Sequence, residues 1–145
     1  VDVQDLTAAA HHALSGDTPS AARERLRTAY QVLLCGRELL PGWQQDWVAF
    51  ERERLHQLRL HALEALSARL VARRLYAPAL EAALESTRVD PLRESAHRAV
   101  VSVHLAEHNL TEAVRQYETF RELLLRELGV EPSGQFSSML RHALV

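Results

Sequence analysis

The chain has 145 residues, 47% of them hydrophobic and 25% charged, the composition of a globular domain with a buried core rather than of a disordered tail. All 17 basic residues are arginine and oppose 19 acids, so a net charge of −2 supplies no global pull toward DNA, RNA or anionic lipid. The lone Cys35 excludes an internal disulfide and fits a reducing cytoplasm, and no apolar run reaches the ~20 residues of a bilayer span.

Glycine and proline number five each, and Ala, Leu, Arg and Glu dominate. These good helix formers predict an all-α protein in one domain, residues 1–145, of about seven helices. The first helix is expected from Val3 to Ser15, with Leu6, Ala9, Ala10, Ala13 and Leu14 at helical spacing. Gly16 ends it, and Thr18-Pro19 opens a second helix as cap and first residue; Ala22, Leu26, Ala29, Val32 and Leu33 line its buried side. Gly36, Pro41 and Gly42 mark a loop from Cys35 to Gly42 that packs down through Leu39, Leu40 and Trp43.

A long helix follows from about Asp46 to Arg73, with an apolar stripe of Trp47, Phe50, Leu55, Leu58, Ala62, Leu66 and Leu70. A turn at Leu75-Tyr76 leads to a helix through Arg88, with Pro78 in its first turn, where a missing N–H is tolerated. Asp90-Pro91 reads as cap and first residue of a helix reaching Glu107. Asn109 and Glu112 have capping-box spacing and open a helix to Leu128, which Gly129 and Pro132 end. A short helix from Gln135 to Leu144 covers the end of the array. The β-like run Val100-Val101-Ser102-Val103 lacks turn residues around it and is read as helix.

Two segments, Leu60 to Arg93 and Glu94 onward, match at an offset of 34, the tetratricopeptide period. Leu66 pairs with Val100, Leu70 with His104, Tyr76 with Leu110 and Ala79 with Ala113. The small Ala79 and Ala113 let the second helix of each hairpin approach the first, and the first two helices form a degenerate third copy. Such hairpins bury their apolar sides only by stacking, which predicts a tetratricopeptide-like array that grasps other macromolecules. By repeat position, His61, Glu64, Ala68, Ser95, Arg98 and Ser102 are candidates for a partner-binding groove.

Catalytic signals are weak. His104-Leu105-Ala106-Glu107-His108 matches the H-x-x-E-H pattern, and two histidines at i and i+4 could share a metal. Against this, His108 falls at a turn, His104 at a buried repeat position, and no third ligand is evident. His11, His12, His56, His61, His97 and His142 show no other ligand spacing and are read as surface or core-edge residues. No G-x-S-x-G, glycine-rich phosphate loop or C-x-x-C occurs, so no catalytic residue, metal or cofactor is assigned. Glu51-Arg52-Glu53-Arg54 reads as a solvated helix face, and Trp43 and Trp47 as core packing.

Several segments stand out together: Leu39-Leu40-Pro41-Gly42-Trp43 with Asp46-Trp47 and Glu51-Arg52-Glu53-Arg54-Leu55, Asp90-Pro91-Leu92-Arg93-Glu94-Ser95-Ala96-His97-Arg98, Ala113 with Tyr117, and Glu127-Leu128-Gly129-Val130-Glu131-Pro132-Ser133. In combination they resemble the bacterial transcriptional activator domain of the Streptomyces antibiotic regulatory protein family. The resemblance covers nearly the whole chain. It implies a tetratricopeptide-like, non-enzymatic domain of a cytoplasmic transcription activator, often one controlling secondary-metabolite genes such as those for antibiotic biosynthesis. It also implies protein partners: a sister subunit, the regulator's own DNA-binding domain, or RNA polymerase. DNA would be reached only through the family's N-terminal winged-helix domain, absent from these residues, and no membrane is involved. Two other readings compete. One is a generic tetratricopeptide adaptor that binds a peptide tail and has no transcriptional role. The other is a metal-dependent hydrolase built on His104, Glu107 and His108. The chain departs from the family at His104 to His108, where the resemblance implies apolar residues and glycine, so Asn109 is expected to supply any left-handed geometry.

Overall fold

A computed structural model describes residues 46–145, with side chains from Val48 onward. Those residues form five helices and no strand: α1 (Asp46–Ala72), α2 (Tyr76–Val89), α3 (Glu94–Ala106), α4 (Leu110–Leu128) and α5 (Gly134–Leu144). The two helices expected before Asp46, the loop with Cys35, and the Trp43–Trp47 packing lie outside the described residues.

Helices α1 and α2 pack as one hairpin and α3 and α4 as another; α3 also packs on both α1 and α2, and α5 on α4. The hairpins repeat at the backbone level. In the first corner the Arg74 N–H bonds the Val71 carbonyl at 2.9 Å and the Leu75 N–H bonds Leu70 at 2.9 Å. In the second, the His108 N–H bonds Leu105 at 3.0 Å and the Asn109 N–H bonds His104 at 2.8 Å. Each pair is the reciprocal closure that satisfies orphan carbonyls at a helix C-terminus. The left-handed residue it requires is Arg74 (φ 60) in one corner and His108 (φ 61) in the other. The residues opening α2 and α4, Leu75 (φ −96, ψ 72) and Asn109 (φ −93, ψ 70), also coincide. Every one of these equivalences spans 34 residues.

Packing repeats with the backbone. Ala62 and Ala96, Leu66 and Val100, and Ala79 and Ala113 are buried pairs at the same offset. An alanine at the crossing lets helix axes approach to the short end of their usual separation. Around these, Leu63, Leu66, Leu70, Ala79 and Ala82 form one core, and Val101, Ala113, Phe120, Leu124, Phe136 and Leu140 another. Each fully buried Leu or Phe contributes roughly 1.5–3 kcal/mol.

Four expectations need correction. The Asp90-Pro91 pair does not open α3. Asp90 closes α2, its N–H bonding Ser86, and then heads a turn: the Arg93 N–H reaches the Asp90 carbonyl at 3.2 Å and the Leu92 N–H its side chain at 3.3 Å. Aspartate then proline suits the first two positions of such a turn as well as a helix start. Asn109 does precede α4, but its side chain makes no capping bond, and Glu112 pairs with Arg115 instead. The left-handed residue is His108 rather than Asn109. Phe50 leaves the stripe, 80% exposed, while Val48, Leu60 and Leu63 are buried. Gly129 ends α4 as expected, at φ 68.

Candidate interaction surface

The six groove candidates fall into two groups. His61, Ala68 and Ser102 are exposed on α1 and α3. Glu64, Ser95 and Arg98 are half-buried and engaged. Glu64 spaces three residues from His61 and four from Ala68, so the three share one helix face. The same holds for Ser95, Arg98 and Ser102 on α3. A hydrogen bond from the Ser95 hydroxyl to Glu64, 3.0 Å, sets the two faces side by side.

Arg93 completes that seam. It stands just before α3, donating through Nε to Glu64 at 2.6 Å and through a terminal nitrogen to Gln57 at 3.0 Å. Arg93 and Glu64 each keep only 16% side-chain exposure, so this pair is less screened than the surface pairs of α1 and α4. Arg59 and Glu85 make a second shielded link, between α1 and α2, at 3.2 Å. Arg88 also pairs with Glu85, which raises its pKa further.

The pattern continues from α3 to α5. Arg98 bonds Gln135 at 3.2 Å and Glu94 at 3.3 Å. Glu94 in turn receives the Ser133 N–H at 2.8 Å and the Ser133 hydroxyl at 2.5 Å. Ser133 also caps α5 by accepting from the Phe136 N–H, at 3.3 Å. Arg98 is therefore a tether for α5 as well as a surface residue. Gln57, Arg93, Glu94, Ser133 and Gln135 escaped the sequence reading, because repeat position locates a face but not the partners that cross between helices.

Behind this surface lies a buried polar group. His97, read from sequence as a surface or core-edge residue, is 5% exposed. Its ring stacks on Phe120 with centroids 4.4 Å apart. Its Nε2 lies 2.8 Å from the Pro91 carbonyl, an acceptor only, so Nε2 carries the proton; Nδ1 then accepts from the Gln116 amide at 2.9 Å. Burial lowers its pKa, opposed by the Pro91 carbonyl and by Asp90. Tyr117, edge-on to Phe136 at 4.9 Å, has its pKa raised, first by desolvation.

His104 is partly buried, with Nδ1 unpartnered, and His108 is exposed in its left-handed corner. Among the described residues no group of three or more His, Cys, Asp or Glu is placed to hold a metal ion. No described helix is long and apolar enough to cross a membrane.

Fold and surface together define an α-helical repeat domain whose distinctive side chains join helices across a polar seam. Residues 1–144 match the family described as the bacterial transcriptional activator domain, and the chain belongs to it. It is also 32% identical over 129 residues to Regulatory protein AfsR of Streptomyces coelicolor (strain ATCC BAA-471 / A3(2) / M145), a match covering 89% of this chain. The matched stretch spans 13% of that relative's length.

Proposed function

We propose that this chain is a tetratricopeptide-like interaction module of a transcription activator, one that works in the cytoplasm by holding other proteins rather than by catalysis. Its partners are a sister subunit, the regulator's own DNA-binding domain or RNA polymerase, and DNA is contacted through a domain outside these residues. Control of secondary-metabolite genes is the expected setting. The observation that carries this reading is the 34-residue recurrence of a whole backbone corner, which stacks α1 beside α3 and gives them one shared face. On that face His61, Ala68 and Ser102 stay open while Glu64, Arg93 and Ser95 fix the spacing of the two helices.

The test places bulk and charge where nothing is tied up. Ala68→Arg and Ser102→Arg in the full-length regulator are expected to cut promoter activation at least tenfold with the helical circular dichroism unchanged. Arg98→Glu is a companion, expected to loosen α5 as well. Full activation by the Ala68 and Ser102 variants would show that this face is not the working surface.

A further inference from the structure

The array has two ends of opposite charge. Val103, near the end of α3, packs in one core with Leu70, near the end of α1, so the two corners lie at the same end. Helix α5 runs toward that end too. Its start is tied to Glu94 and Arg98 at the head of α3, and Leu140 packs in one core with Ala113 near the head of α4. Within about one turn of these helix ends stand Arg69, Arg73 and Arg74 from α1, His108 from α3, and Arg141 and His142 from α5. The acids there are Glu107 and Glu112, and Glu112 is taken up by Arg115. The opposite end carries Glu51, Glu53, Asp90, Glu94, Glu127 and Glu131.

Helix dipoles do not account for these cations. Helices α1, α3 and α5 end there while α2 and α4 begin there, which leaves only about half a negative charge to offset. Nor do neighbouring acids take them up. Arg54, Arg59, Arg88, Arg93, Arg98 and Arg126 each pair with a glutamate. Among the described residues no acid pairs with Arg69, Arg74 or Arg141. Both corner apices, Arg74 and His108, also hold a left-handed backbone that glycine would adopt with less strain. A charged or hydrogen-bonding side chain is kept at each against the local preference.

We propose that this end of the array lies against the phosphate backbone of DNA. It adds a contact without sequence preference to the one made by the DNA-binding domain of the reading above, on which the idea rests. Among the described residues neither corner exposes a large apolar side chain, whereas the centre of a protein interface is apolar and depleted of charge. The cations are strung along an edge rather than gathered in a pocket. At the usual spacing of about 8–10 Å between packed helices, α1, α3 and α5 spread them over roughly 20 Å, the length of about six phosphates on one strand. The arginine fork matches phosphate oxygens, and an imidazole N–H can donate to them. With a net charge of −2 on the whole chain, such an edge is too weak to hold DNA alone. Joined to a domain that already holds the duplex, it meets the backbone at high effective concentration.

The experiment titrates the full-length regulator with a DNA duplex of unrelated sequence over a range of salt, followed by fluorescence anisotropy. Arg69→Gln, Arg74→Gln and Arg141→Gln together are expected to lower the slope of log affinity against log salt by about 2–3. Binding at moderate salt is expected to weaken about tenfold, with the helical circular dichroism unchanged. A control removes the same charge from the other end: Arg54→Gln, Arg88→Gln and Arg126→Gln together, all glutamate-paired, are expected to leave slope and affinity as they were. An unchanged slope in the first triple variant, or an equal change in both, overturns the proposal and leaves the transcriptional reading standing. Unchanged DNA binding with lost promoter activation also overturns it and assigns the edge to an acidic protein. A regulator that binds no duplex at all removes this proposal together with the DNA-binding domain of the reading above.

Discussion

Three equivalent positions in the two hairpins carry different chemistry on the same backbone. The first hairpin has Leu63 on α1 and Ala82 and Ser86 on α2, all buried, with the Ser86 hydroxyl turned back to the Ala83 carbonyl at 2.7 Å. Thirty-four residues on, the second has His97, Gln116 and Phe120, joined by a hydrogen bond and a ring stack. A further buried hydroxyl, Ser67, donates to the Ala79 carbonyl at 2.9 Å in the first hairpin, where the second has Val101. The three residues change together because each set must fill one volume and pair its own polar atoms. What stays constant is small or main-chain: Ala62 and Ala96, Ala79 and Ala113, and the corner hydrogen bonds.

The largest expected contrast comes from truncating the same position in each hairpin. Phe120→Ala removes the centre of the aromatic core, beside His97 and Phe136, and should cost about 3–5 kcal/mol in urea unfolding. Ser86→Ala loses one local hydrogen bond and should cost about 1 kcal/mol. Equal losses would mean that the two cores are energetically alike despite their contents.

A smaller effect probes what the hairpins share. Arg74→Gly and His108→Gly each relieve a left-handed residue, whose cost of roughly 1–2 kcal/mol exceeds the extra chain entropy of glycine, roughly 0.5–1 kcal/mol. Both should stabilise by a few tenths to about 1 kcal/mol, and by similar amounts, as read from thermal midpoints. A response at only one corner would break the equivalence.

The smallest effect separates them by pH. His97 has a lowered folded pKa, so the unfolded chain binds its proton more readily. Its contribution is complete above the ordinary histidine value near 6.5 and is lost as pH falls through the folded value. Thermal melts from pH 7.5 downward should show an acid-side decline that His97→Leu, the residue of the first hairpin, makes shallower. A decline of unchanged slope would assign it to other groups.

Much of this was legible in the sequence because it depends on volume and period. Ala79 with Ala113, the ends of α2 and α4, and Gly129 all followed from spacing and turn chemistry. The choice between Asp90-Pro91 as helix start and as turn did not, since aspartate accepts backbone N–H bonds in either and proline fits both. His108 rather than Asn109 took the left-handed position because the corner's hydrogen bonds set the register, overriding the local preference for asparagine. His97 looked peripheral because Gln116 and Phe120 meet it only when α4 packs on α3, and the nearby Pro91 carbonyl reaches it only through the turn that Asp90 heads. Of the surface, repeat position placed the six candidates on α1 and α3 but did not point to Arg93, which stands just before α3 and bonds across to Glu64 and Gln57 on α1.

Each corner closes through main-chain groups alone, with no side chain needed in its hydrogen bonds. Such a joint is indifferent to most substitutions, so related chains can diverge widely there and still bend at the same place. It is also a natural splice point: a duplicated 34-residue block inserted after Arg93 would bring its own bend with it and lengthen the scaffold by one rung.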